Sequence, residues 1–237
     1  MDKQVCTVTA RTKEELRKIL RFSHVRAINL RSLDHKGLIN DQELNRSLKM
    51  CGHILNSLSL NAVDITGEGL AGANLDLSQL QNLTIEYCPN LTDLGLIMIL
   101  NMCWQNLRYL KLSLSTYLCK RTYNIMQDGL AFQFNKLEEI DLVQSALSEK
   151  GLCILLEAAK VSLKRLKLTF FNITGEELVS FAGYLDRLDT LSLIMGKITA
   201  QGFYELLRIS QPNLKTLHIN QSEITGESLG NNLNLER

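Results

Sequence analysis

Residues 80–96 read LQNLTIEYCPNLTDLGL, and both patterns that determine the fold occur in this stretch. Its first half follows the string apolar-x-x-apolar-x-apolar, formed by Leu80, Leu83 and Ile85. The end of the string alternates with a period of two, which is typical of a strand with one buried face. Thr92 follows, and its side-chain oxygen can accept a hydrogen bond from a free N–H group of a first helical turn. The stretch therefore predicts a strand, a loop and a helix start.

The strand string occurs eight times, at spacings of 25 to 30 residues. It starts at Val25, Leu55, Leu80, Leu107, Leu137, Leu163, Leu188 and Leu214. A helix-start pattern follows each copy, and seven of its eight cap positions hold Asn, Thr or Ser. These cap positions are Asn40, Thr66, Thr92, Met126, Ser148, Thr174, Thr199 and Thr225. The two patterns predict about eight strand–loop–helix units in a right-handed α/β solenoid, a horseshoe with a concave parallel sheet and convex helices.

The two ends of the chain differ from the repeats. A short helix is expected over 12–21, where Thr12 and Glu15 have capping-box spacing, as do Asn40 with Glu43 and Thr174 with Glu177. We therefore divide the chain into an N-terminal capping helix segment, 1–23, and a repeat domain, 24–237. The last residue precedes the expected position of a ninth strand, so either the chain is a piece of a longer protein or its last helix serves as a cap.

With these motifs, the chain resembles leucine-rich repeat proteins. Its period near 26 and the sequence around Cys88 are similar to the cysteine-containing subclass, found in the repeat domains of F-box and Amn1-type proteins. The usual Asn/Cys position after the strand holds a cysteine only at Cys88, and we find no F-box. The resemblance implies a non-catalytic module that recognises a substrate or partner in ubiquitin ligation or cell-cycle control, with ubiquitin-ligase components among its partners. The alternative is the ligand-sensing domain of a nucleotide-binding immune receptor, or another repeat scaffold.

Composition and motifs exclude several other classes. Hydrophobic residues make up 45% of the 237 residues, which argues against disorder, and a net charge of +1 gives no general attraction to nucleic acid or membranes. No apolar run is long enough to cross a membrane. The four histidines have no ligand spacing, and no catalytic triad or phosphate-binding loop can be assembled. We therefore expect no enzyme activity, cofactor or metal. The six scattered cysteines, none in a C-x-x-C pair, favour a reduced compartment, cytoplasmic or nuclear.

Alternation along each strand predicts which side chains face solvent on the concave side. Charges concentrate on the fourth to sixth repeat strands, in basic, acidic and basic columns. The candidate partner-binding residues there are Tyr109, Lys111, Ser113, Glu139, Asp141, Arg165 and Lys167, and His218 lies on the last strand. Such columns can complement a partner of mixed charge. They can equally pair with each other across the sheet, in which case the face is an ordinary solvated surface.

The fourth repeat has an insertion between its strand and its helix start. Ile125 lies thirteen positions after Leu112, whereas the corresponding distance in most units is five. The insertion contains residue types that dominate binding energy at interfaces, namely Tyr117, Lys120, Arg121 and Tyr123. We predict that this loop contributes to partner binding; the alternative is a tolerated surface insertion.

Overall fold

The computed structural model describes residues 7–19, 25–31, 39–70, 74–113, 133–143, 147–211 and 213–225. These residues form a nine-stranded parallel sheet, a three-stranded parallel sheet and five α-helices. The large sheet consists of β1 (Thr7–Ala10), β2 (Ala27–Arg31), β3 (Ser57–Asn61), β4 (Asn82–Glu86), β5 (Tyr109–Ser113), β6 (Glu139–Val143), β7 (Arg165–Thr169), β9 (Thr190–Ile194) and β11 (Thr216–Asn220). The small sheet consists of β8 (Asn172–Ile173), β10 (Lys197–Thr199) and β12 (Glu223–Thr225). The helices are α1 (Lys13–Ile19), α2 (Asp41–Cys51), α3 (Asp93–Cys103), α4 (Glu149–Ala159) and α5 (Ala200–Ser210).

The large sheet is stacked in chain order. Each of the eight predicted strands pairs in parallel with the predicted strand before or after it, so that equivalent residues lie side by side. Leu83, for example, pairs with Leu58 on one side and Leu110 on the other. This arrangement is an α/β fold with the strand order that a repeat solenoid has.

The apolar residues of the strand strings form one continuous core behind the sheet. The members of this cluster between Leu30 and Ile209 are almost fully buried, and they come from successive units. Each unit alone exposes one side of its leucines, and its neighbours cover that side. Burying apolar surface stabilises a protein by roughly 25 cal/mol for each Å². Here that stabilisation depends on stacking and not on any single unit.

Four of the helices begin as the sequence predicts. The side chains of Asn40, Thr92, Ser148 and Thr199 accept hydrogen bonds from backbone N–H groups three residues later, at 3.0–3.2 Å. These contacts satisfy donors that have no partner within the helix. The caps therefore define where α2, α3, α4 and α5 start.

The second and sixth units differ from the prediction, because each forms a three-residue 3₁₀ turn instead of an α-helix. These turns are Glu68–Leu70 and Leu178–Ser180. The residue after the cap is glycine in both units, and Gly67 and Gly175 have positive φ angles of 82° and 93°. A left-handed residue in the first turn prevents regular α-helix from starting there. The predicted capping box of Thr174 with Glu177 is therefore wrong.

A carboxylate from the preceding helix binds each of these glycine turns. Glu149 at the start of α4 accepts hydrogen bonds from the Thr174 and Gly175 N–H groups at 2.9 and 2.8 Å. Asp41 at the start of α2 binds the corresponding N–H groups of Thr66 and Gly67, at 3.1 and 2.9 Å. These charge-assisted bonds connect successive units.

The N-terminal segment contains a strand that the sequence does not predict. β1 pairs in parallel with β2 and extends the large sheet by one strand. α1 follows and buries Leu16 and Ile19 against the core; the last two residues of the expected 12–21 lie outside the described residues. The expected capping interaction is present, since the Glu15 N–H donates to Thr12 Oγ1 at 3.1 Å.

Candidate functional site

The face of the large sheet opposite the core carries the polar and charged side chains. Residues at the first, third and fifth positions of each strand lie on this face, which we call the polar face. Register aligns them in rows across the strands. One row contains Lys111, Asp141 and Lys167, and the neighbouring row contains Tyr109, Glu139 and Arg165. Seven of the predicted binding residues therefore lie together on β5, β6 and β7.

The charged columns pair across the sheet. Arg165 donates to Glu139 Oε2 through Nε and Nη2, at 2.8 and 2.7 Å. Lys167 Nζ lies 3.4 Å from Asp141 Oδ2. The sequence analysis left open whether these charges pair with one another. In the structure they do, between neighbouring strands. The pairs hold long side chains in defined positions on the polar face.

A third pair extends this network to β4. Lys111 Nζ lies 2.6 Å from Glu86 Oε1, and Asn61 Nδ2 donates to Glu86 Oε2 at 2.9 Å. The hydrogen bond to Glu86 is the main reason that the pKa of Lys111 is raised above its ordinary value. Lys111 therefore stays protonated at any physiological pH.

Two of the predicted surface residues are buried, contrary to the sequence analysis. Ser113 and Asp141 lie on the polar face but have almost no exposed surface. Both have short side chains, and Asp141 lies between columns with longer side chains, those of Lys111 and Lys167. Alternation correctly predicts the side of the sheet for these residues. It does not predict their depth beneath their neighbours.

Buried polar atoms beside the ion pairs lack hydrogen-bond partners. Asp141 Oδ1 and Thr169 Oγ1, on adjacent strands, are two of four such side-chain atoms in the described part of the chain. Leaving a buried acceptor unsatisfied costs about 1–3 kcal/mol. A hydrogen-bond donor brought to these atoms would therefore stabilise the polar face.

Tyr109, on β5, adds a neutral donor beside the acidic column of β6. Burial, followed by the charge of Asp141, raises the pKa of its phenol above the ordinary value. The phenol is half-buried and remains protonated at neutral pH. It can therefore donate a hydrogen bond from the centre of this surface.

His218 and the loop residues have different positions relative to this cluster. His218 is in the same row as Lys167, but Ser192 of β9 separates them. It therefore lies beside the cluster and not within it. The loop hypothesis falls on residues 114–132, so Tyr117, Lys120, Arg121 and Tyr123 lie outside the described residues.

The structure adds charged residues that were not predicted. Glu138 binds Arg108 on one side at 2.9 Å and Lys164 on the other at 3.2 Å, all three immediately before a strand. Glu86 is on the predicted face but not among the predicted binding residues. Arg108, Glu138 and Lys164 could be found in the sequence from their shared position immediately before successive strands. The alternation within a strand does not reveal that position.

The cysteine thiols in the described residues are buried or partly buried and form no disulfide with one another. Cys88, at the subclass position, donates from Sγ to the carbonyl oxygen of Leu60 in the preceding unit, at 3.7 Å. Burial raises the pKa of Cys51 to about 11 and that of Cys153 to about 12. Reactive thiolates are therefore not favoured at these positions.

The described ranges contain neither a metal-binding cluster nor a membrane-spanning helix. No group of three or more His, Cys, Asp or Glu side chains there could hold a metal ion. Likewise, none of the helices in those ranges has the length and apolar character needed to cross a membrane.

Comparisons with known proteins find similarity among solved structures and not among sequences. No protein-family model and no curated protein match the sequence. Among solved structures, the chain is similar to one described as the complex of Rad7 and Elc1 in yeast. The identity is 18% and the TM-score 0.41, over 93% of this chain and 71% of that one.

Proposed function

We propose that this protein is a non-catalytic protein-interaction module that binds its partner on the polar face of β4–β7. The observation that carries this proposal is the set of interstrand ion pairs, which fix charged side chains from neighbouring strands in one ordered surface. Ordered side chains lose less conformational entropy on binding than mobile ones do. The rows spread over several strands, so the surface suits an extended partner better than a small molecule.

We also propose that the units are leucine-rich repeats, about eight in number, curved into a horseshoe with the polar face on the concave side. Parallel strands lie roughly 4.8 Å apart, whereas packed helices need about 8–10 Å. A stack of strands backed by helices therefore curves toward the strands. The thiol of Cys88, donating to the unit before it, supports the resemblance to the cysteine-containing subclass.

A place in ubiquitin ligation or cell-cycle control is the specific role that the resemblance to F-box and Amn1-type proteins implies. In this role the polar face holds the substrate, and another surface or another chain contacts the ligase. Co-purification of ligase subunits with the tagged protein would support this role. Repeated captures that contain specific partners but no ligase subunit would contradict it.

Steric blocking tests the binding surface without assuming the partner's chemistry. Ser192→Trp adds a large side chain beside Lys167, and Gln42→Trp makes the matched change at an exposed position of α2. Affinity capture followed by mass spectrometry should lose its specific proteins with Ser192→Trp and keep them with Gln42→Trp. The same captured proteins from both variants and the wild type would refute binding at this face.

A further inference from the structure

Cations and carboxylates lie at different depths on the polar face. The Lys167 side chain is 44% exposed, whereas that of its partner Asp141 is 9% exposed. The values are 49% for Arg165 against 30% for Glu139. In all three ion pairs of the face, including Lys111 with Glu86, the cation is therefore the more exposed member.

The charged residues immediately before β5, β6 and β7 repeat this arrangement. Glu138 is less exposed than either Arg108 or Lys164, the two cations that it binds. Each of these four carboxylates is therefore less exposed than the cation or cations that it binds, and the N–H groups that remain for a partner belong to the five cations. The net charge of the whole chain, +1, does not reveal this layering.

From this layering we infer that the polar face binds an acidic segment of a partner protein, whose carboxylates contact Lys111, Arg165 and Lys167. The inference rests on the proposed function, because it names the chemistry of the partner at the same surface. Charge-assisted hydrogen bonds to Arg and Lys are the strong contacts that such a segment would form. The carboxylates beneath keep the cations oriented toward it.

Spacing favours an acidic peptide over a nucleic acid. The cations of β5 and β7 are two strands apart, roughly 9.6 Å, with the acidic column of β6 between them. Glutamates three positions apart in an extended polyproline-II segment are separated by about 9.3 Å on the same side. A nucleic-acid backbone has closely spaced phosphates, which Glu139 would repel.

Tyr109 strengthens the site. Its phenol lies on β5, on the same face as Lys111, and can donate to a carboxylate bound by that lysine. Its raised pKa keeps that proton in place. Asp141 Oδ1, which lacks a partner, is buried and takes no part in this contact.

The direct test exchanges the two members of one ion pair. Glu139→Arg combined with Arg165→Glu keeps the net charge and the pair but puts a carboxylate at the more exposed position. The probe is a fluorescein-labelled oligoglutamate of about ten residues in which two prolines separate successive glutamates, measured by anisotropy at about 50 mM salt. Wild type should bind saturably, and the exchanged variant should bind at least about tenfold more weakly. Equal binding by the two proteins would overturn the inference.

Control variants separate charge from folding. Arg46→Glu with Lys49→Glu lowers the net charge by four at exposed positions of α2, whereas the exchange leaves the net charge unchanged, and this control should still bind more tightly than the exchanged variant. If the exchanged variant does not fold by circular dichroism, Arg165→Gln with Lys167→Gln replaces it, with the same expected loss. Unlabelled single-stranded DNA of similar length should compete poorly, and competition as strong as that of oligoglutamate would overturn the choice of an acidic peptide.

This test can fail independently of the proposed function. Absence of oligoglutamate binding, together with loss of captured proteins in Ser192→Trp, would reject the acidic partner and keep the binding surface. Unchanged capture by Ser192→Trp would reject the surface itself.

Discussion

At the scale of single residues, Cys103 shows how stacking controls ionisation. It is the last residue of α3, has no exposed surface, and donates from Sγ to the Ile99 carbonyl oxygen at 3.3 Å. Burial raises the pKa of this thiol from 9.0 to about 12. The folded protein therefore holds Cys103 neutral in a pH range in which the unfolded chain ionises it.

This shift predicts a loss of stability in alkali. Below pH 9 the thiol is protonated in both states and contributes no pH dependence; between pH 9 and about 12 only the unfolded state releases the proton. Unfolding is then favoured by about 1.4 kcal/mol for each pH unit. Urea denaturation from pH 8 to 11 should show a steeper decline for wild type than for Cys103→Ala. The comparison uses slopes because the cavity lowers the variant's stability at every pH, and parallel declines would contradict the prediction.

At the scale of elements, the close approach of α3 to the preceding turn depends on glycine. A Cβ atom on Gly95 would lie 2.0 Å from the carbonyl oxygen of Thr66 and 2.8 Å from Gly67 Cα. Gly202 in α5 has the same relation to Ile173 and Gly175, at 2.9 and 3.2 Å. Full helices and 3₁₀ turns therefore pack through paired glycines where these units meet.

Gly95→Ala is expected to destabilise the protein, even though alanine is more favourable than glycine within a helix by about 1 kcal/mol. The overlap with the Thr66 carbonyl must push α3 away from the turn, at a net cost of about 1–3 kcal/mol. Leu94→Ala, at the exposed position just before, is the control and should change stability by less than about 0.5 kcal/mol. Chemical denaturation followed by circular dichroism measures both, and similar midpoints for the two variants would show that the close approach is not required.

The sequence predicts most of the sheet and part of the site because these depend on local patterns. Strand β4 follows from the alternation of Leu83 and Ile85, and its neighbours from the same string. The 3₁₀ turn after Thr66 was not predicted, because the cap pattern is the same whether or not a left-handed glycine follows. The pair of Lys111 with Glu86 was also not predicted. Its direct neighbour on β4 is Thr84, so the contact is diagonal and depends on side-chain reach.

At the scale of the whole molecule, the core is covered unevenly along the stack. Leu193 of β9 is fully buried, whereas Ile219, its partner in the register of β11, is 44% exposed. Ile224 of β12 is exposed in the same way, although Ile198 and Ile173, its counterparts in the small sheet, are buried. Within the described residues, these two rows of apolar side chains are therefore buried on the earlier strands and exposed on the last strand of each sheet.

This gradient predicts that equivalent core positions contribute unequally to stability. Leu193→Ala removes a side chain enclosed by two neighbouring units and should cost about 2–5 kcal/mol. Ile219→Ala removes a side chain of the same size that is covered on one side, and should cost less than about 1 kcal/mol. Urea denaturation of the two variants under identical conditions tests the difference. Equal losses would contradict the gradient, since Ile219 would then need cover from residues after 225 or from another molecule. A small loss for Ile219 with a large one for Leu193 would show that each unit is stabilised chiefly by the units on either side of it.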